Sequence, residues 1–129
     1  VFAGTAFFDR TYQEALGLLR ESRDYLAYCQ DRDIRPLEPF DRLRFTLEST
    51  RLTARLTDIM AWLFVQKAVA EGELSVDEAA GERYRLLRGD AVLDPGAVGD
   101  EILPRGLVSL LARSHLLYLR IVRLEEMVA

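Results

Sequence analysis

The chain has 129 residues, half of them apolar and 29% charged, and 17 basic against 21 acidic residues leave a net charge of −4. That length suits one domain, 1–129, able to bury about two-thirds of its unfolded surface, and the composition is too apolar for disorder. The absence of a basic stripe argues against nucleic acid or anionic membrane as partners, and the longest apolar run, seven residues from Ile59 to Val65, falls far short of the ~20 that span a membrane.

The single Cys29 allows no internal disulfide and fits a reducing, cytoplasmic compartment. No signal peptide is visible. The sequence begins at Val1 rather than Met and stops inside a helical pattern at Ala129. Trimmed ends, with a C-terminal tail missing, are the expectation.

The first helix is expected from about Thr5 to Gln30. Phe8, Tyr12, Ala15, Leu19, Ser22, Leu26 and Cys29 recur at alternating steps of four and three, as a seam facing a partner helix does. Cys29 belongs to that seam and reads as a small buried residue rather than a reactive thiol.

The second helix is expected from Pro39, suited to a first turn, to about Glu71, a length of about 45 Å at 1.5 Å per residue. One seam comprises Leu43, Leu47, Thr50, Ala54, Thr57, Ala61, Phe64 and Ala68. A nearly opposite one comprises Phe45, Ser49, Leu52, Leu56, Ile59, Leu63, Gln66 and Ala70. Between them runs a third column, charged at Arg44, Glu48, Arg51, Arg55 and Asp58, then apolar at Trp62, Val65 and Val69. Its charged half can support itself through i,i+3 and i,i+4 pairs of ~0.2–0.5 kcal/mol each. Its apolar half needs a cover, because each large side chain left in water forgoes ~1.5–3 kcal/mol. The third helix or a second copy of the protein must supply it.

Residues 75–89 read as a shorter helix. Ser75 and Glu78 make a capping box, and Gly89 is placed to stop the helix after Arg85 and Arg88. The tripeptide Arg88-Gly89-Asp90 is then a helix terminus, not an adhesion motif. Residues 90–101, with Pro95, Gly96 and Gly99, read as a mobile linker lacking the pattern of a phosphate-binding loop.

The last helix is expected from Leu103 to Met127. Leu103, Leu107, Leu110, Ser114, Leu117, Ile121, Leu124 and Val128 form a heptad seam, with Val108, Leu111, His115, Tyr118 and Val122 beside it. No segment alternates with period two. The expected fold is all-α, an antiparallel three-helix bundle with one additional short helix.

No catalytic constellation emerges, and neither a metal site nor a cofactor site is expected. His115 is the only histidine, so paired Glu-x-x-His metal motifs are impossible. Ser114 and His115 are adjacent and point about 100° apart on a helix, the wrong relation for a nucleophile and its base. Phosphotransfer through a bundle histidine would need an exposed ring with small or basic neighbours. Tyr118 and Leu119 occupy those places, so a half-buried structural histidine is expected. Asp31, Asp33, Glu125 and Glu126 read as solvated charge. Arg42, Arg44, Arg51 and Arg55 read as a solvated face laddered with Glu48 and Asp58, or as a docking surface for an acidic partner.

Three stretches, FFDRTYQEALGLLRESRDYL (7–26), RLTARLTDIMAWLFVQKAVAEGELS (51–75) and LVSLLARSHLLYLRIVRLEE (107–126), resemble the alphaproteobacterial regulator-of-CtrA-degradation family. The likeness covers nearly the whole chain. The central segment, with its Arg-Leu repeats, Trp, Gln-Lys-Ala-Val and Glu-Gly-Glu, is the most specific part. It implies a three-helix homodimer without enzymatic activity, an adaptor that helps deliver cell-cycle proteins such as the response regulator CtrA to the protease ClpXP. It also implies work alongside the response regulator CpdR and the cyclic-di-GMP-binding protein PopA, and a polar C-terminal tail that engages the protease. The sequence shows no such tail, and the family offers no catalytic motif to carry over. A homodimer would cover the apolar half of the second helix. The expected interface is therefore Ile59, Trp62, Val65 and Val69, with Phe64 in the core, and Arg44, Arg51 and Arg55 left for partners. A dimeric helical scaffold unrelated to proteolysis and a histidine phosphotransfer bundle are the alternatives.

Overall fold

The computed structural model describes residues 4–128, so both chain ends, Val1 and Ala129, lie outside the described residues. The fold is all-helical, with no strand among those residues. Three long helices carry it: α1 (Ala6–Tyr28), α3 (Pro39–Ala70) and α6 (Arg105–Val128). Between them lie α2 (Gln30–Ile34), α4 (Val76–Ala79), a 3₁₀ turn (Glu82–Tyr84) and α5 (Asp90–Leu93).

Local signals start the helices where the sequence places them. Thr5 caps α1 by accepting from the Phe8 N–H, and Pro39 opens α3. Ser75 and Glu78 form the expected reciprocal capping box. The helix it opens is far shorter than the expected 75–89, because Gly81 leaves the helical region and a 3₁₀ turn follows. Gly89 is not a helix stop either. It has φ −76° and precedes α5, while Arg88 adopts the left-handed conformation at φ 55°.

Side-chain pairs give the helix directions. Tyr12 of α1 stacks near Phe64 of α3 and Tyr25 near Phe45, with ring centroids 6.2 and 6.5 Å apart, so α1 and α3 run antiparallel. Glu21 pairs with Arg113 and Glu14 with Arg120, so α1 is antiparallel to α6 as well. Arg55 meets Ser114 and Asp58 meets Tyr118, which makes α3 and α6 parallel. The uniformly antiparallel arrangement is thereby corrected. Residues 71–104 are long enough to return along the length of α3 before α6 begins, at about 3.3 Å per extended residue.

The core is built from one face of each long helix. The α6 seam from Leu103 to Ile121 is buried as the spacing requires. On α3 the buried face is Phe45, Leu52, Leu56, Ile59 and Leu63 together with the lower part of the third column, Arg55, Asp58 and Trp62. On α1 it is Phe8, Thr11, Ala15, Leu18 and Ser22. Cys29 is only half-buried, at the end of that face rather than inside it.

Candidate functional site

The returning segment 86–100 lies as a strap against α3 and α6, and the charged column of α3 holds it there. Arg55 is fully buried and spends its guanidinium on four acceptors. These are the carbonyls of Val92 (2.9 Å), Asp94 (2.7 Å) and Leu111 (3.0 Å), and the Ser114 hydroxyl (2.8 Å). Burial, then the nearby Arg51 charge, push this guanidinium down to about 10. Arg51 donates to the Asp90 carbonyl at 2.8 Å. Glu48 accepts from Arg51 and from the Ala97 N–H at 3.1 Å. Arg44 bridges Asp41 and Asp100.

The upper end of the strap is held by carboxylates. Asp58 accepts from the Leu87 N–H (2.9 Å) and the Tyr118 hydroxyl (2.5 Å). Glu125 accepts from the Leu86 N–H (2.7 Å) and pairs with Arg88 (2.6 Å). The Arg88 N–H in turn donates to Tyr118 at 3.1 Å, so several contacts hold this residue in its uncommon backbone conformation. Burial, then the bond to Asp58, keep the Tyr118 phenol raised well above its usual range, so at neutral pH it remains a donor.

This arrangement corrects two expectations. Arg55 offers no exposed surface to a partner, and Arg44 and Arg51 are committed to the strap, because unpaired strap carbonyls beside α3 need donors. The linker expected to be mobile is the piece they pin. Likewise Ile59 and Trp62 need no second copy to cover them. Both are buried within one chain, Trp62 beneath the segment around Val76 to Leu87. Val65 and Val69 are half-buried beside it.

The other α3 seam is left uncovered along its length. Leu43 is 55% exposed, Leu47 59% and Phe64 54%, with the small Thr50, Thr57 and Ala61 open between them and Ala54 and Ala68 half-covered. Phe64, expected in the core, belongs to this outer face. Phe40 extends the stripe toward the start of the helix. A shallow groove lined by Leu26, Phe45, Ser49 and Ala54 flanks it on the α1 side. Another, lined by Thr57, Ala61, Val65, Tyr84 and Leu87, flanks it on the strap side. The row carries large apolar side chains at each end and small residues between them, with a groove on either side.

The comparisons agree with this architecture. Residues 2–129 match the family model described as "Protein of unknown function (DUF1465)". The crystal structure of RcdA from Caulobacter crescentus CB15 matches at 36% sequence identity with a TM-score of 0.80, over 98% of this chain and 94% of that one. The chain belongs to this RcdA-like DUF1465 family. No match is found among curated proteins.

In this DUF1465 chain the remaining sequence candidates take structural places. His115 is half-buried on α6. Its neighbour Ser114 is buried and bound to Arg55 and the Leu111 carbonyl. Asp33 accepts from the Tyr25 hydroxyl at 2.8 Å, while Asp31 is exposed. Glu125, read from sequence as solvated, is buried because the strap folds over it. Among the described residues no group of three or more His, Cys, Asp or Glu is placed to hold a metal ion, and no helix is long and apolar enough to cross a membrane.

Proposed function

We propose that this protein is a non-enzymatic, cytoplasmic adaptor that helps deliver cell-cycle regulators such as CtrA to the ClpXP protease through protein–protein contacts. In this reading it works as a homodimer, with a CpdR-like response regulator and a PopA-like cyclic-di-GMP effector as further partners. The observation that carries the reading is the match to RcdA over nearly the whole chain. The open α3 seam supports its second half. A row of large apolar side chains at Leu43, Leu47 and Phe64 is costly to leave in water, and a second copy burying the same row would form a two-fold interface. The interface is thus proposed one face over from Ile59 and Trp62, with Val65 and Val69 at its edge.

The test is a reconstituted degradation reaction containing ClpXP, a CpdR-like primer and candidate substrates, with and without this protein. Acceleration of some substrates and not others supports the adaptor. No acceleration of any substrate by a folded dimer would leave a dimeric scaffold unrelated to proteolysis. Phosphotransfer is set aside because it requires an open histidine, and His115 is half-buried among α6 residues that pack inward.

A further inference from the structure

At the end where α3 and α6 finish, a cavity of about 330 Å³ opens beneath α4, a volume in the range of small-ligand pockets. Its apolar walls among the described residues are Val69, Val76, Ala79, Ala80, Met127 and Val128, with the Trp62 indole beside them. Among the described residues three polar ones line it, Gln66, Arg85 and Glu125, with Arg85 also bordering the neighbouring groove beside Tyr84.

Their commitments differ. Glu125 is neutralised by Arg88 and the Leu86 N–H. Gln66 is only 9% exposed, yet its carboxamide makes no hydrogen bond within the described chain. Its amide atoms open to the pocket, where a partner that both donates and accepts can reach them. Arg85 likewise makes no ion pair among the described residues, and it stands at the rim as the cation left over.

We propose that this pocket binds the free C-terminal end of a peptide whose last residue is apolar. The apolar walls and the indole take the terminal side chain. The Gln66 carboxamide pairs with the last peptide group, which offers one N–H and one carbonyl to it. Arg85 receives the terminal carboxylate in a charge-assisted bond. A simple carboxylic acid would satisfy Arg85 but present no N–H to Gln66. The inference stands on this pocket alone and does not require the proteolysis reading.

Trp62 is the only tryptophan in the chain, so its emission reports on the pocket directly. The protein is titrated with tripeptides ending in Leu or Val, as free acids and as C-terminal amides, with calorimetry as a second readout. The free acids are expected to give saturable binding, and amidation to weaken it at least tenfold. Arg85→Gln, an exposed substitution that removes no internal bond, should weaken the acids equally and abolish the difference between acid and amide. Gln66→Leu should weaken both forms.

Equal affinity for acid and amide overturns the proposal. So does isovalerate binding as tightly as the peptides, since it lacks the amide. No saturable response to any peptide overturns it too. If Arg85→Gln instead changes the mass of the assembly, with peptides having no effect, the pocket belongs to a second copy and the proposal fails. None of these outcomes bears on the degradation assay.

Discussion

The Arg55 guanidinium lies 2.9 Å from the Val92 carbonyl, and through that contact the middle of α3 is fastened to the strap that returns toward α6. Removing the side chain as Arg55→Ala leaves the Val92, Asp94 and Leu111 carbonyls without this donor. The Leu111 carbonyl keeps the Ser114 hydroxyl and the exposed Asp94 carbonyl keeps Arg51, so Val92 is the acceptor left unpaired. At about 1–3 kcal/mol for such a group, urea denaturation should show a loss of about 1–3 kcal/mol. Arg55→Lys should recover only part of it, because an ammonium lacks the planar fork that spans both strap and α6. A loss under about 0.5 kcal/mol, ordinary for a surface site, would contradict the arrangement.

Tyr118 and Asp58 are expected to act as a pair. Tyr118→Phe removes the hydroxyl that donates to Asp58 and accepts from the Arg88 N–H. A double-mutant cycle with Asp58→Asn should return a coupling of about 0.5–3 kcal/mol. Additive losses would mean that the two residues stabilise the fold separately.

The α6 seam was legible because its second apolar row lies beside it and not opposite: Leu107, Leu110, Leu117 and Ile121 are buried, and so are Leu111 and Tyr118 next to them. The starts of the helices at Thr5, Pro39 and the Ser75 capping box followed as well. The end of the Ser75 helix, expected near Gly89, did not, because the chain leaves the helix at Gly81. Nor did the faces of α3. Its Leu43–Phe64 and Phe45–Leu63 seams have the same period, and periodicity says that both are apolar, not which neighbour covers which. The burial of Arg55 depends on carbonyls of residues 92, 94 and 111, and a backbone acceptor leaves no mark in side-chain pattern. One signal was available. A column that turns from Arg55 and Asp58 to Trp62 without changing face is continuous with the core, so its charged half required buried partners.

Gly96 ties the strap to α3 by close approach. Its φ is +76°, and a Cβ there would collide with the Glu48 carboxylate and the Arg51 side chain. Gly96→Ala should therefore cost more than the ~1–2 kcal/mol of the left-handed conformation alone. Hydrogen exchange should show lost protection at the Ala97 amide while the middle of α6 stays protected. Unchanged exchange at Ala97 would mean that its bond to Glu48 does not hold in solution.

Asp100 links the end of the strap to acid stability. The Leu103 N–H first, then the Arg44 guanidinium, hold its carboxyl below the ordinary value of 3.8. A carboxylate depressed in the folded state contributes stability that is present above 3.8 and lost as pH falls through the lower folded value. Asp100→Asn should flatten the stability profile in that acid window and leave the profile near neutrality parallel to the parent's. The same acid slope in both proteins would remove Asp100 from the account.

The central claim is that α3 turns one column inward to its own strap and presents the Leu43–Leu47–Phe64 seam to a second copy. Sedimentation analysis of Leu47→Lys and Arg51→Ala beside the parent tests it most directly. The expected results are a parent dimer, a folded monomer for Leu47→Lys, and a dimer of lowered stability for Arg51→Ala. A dimer that survives Leu47→Lys would contradict the seam as the interface, and dissociation on Arg51→Ala with the fold intact would put the interaction surface on the Arg51 column instead.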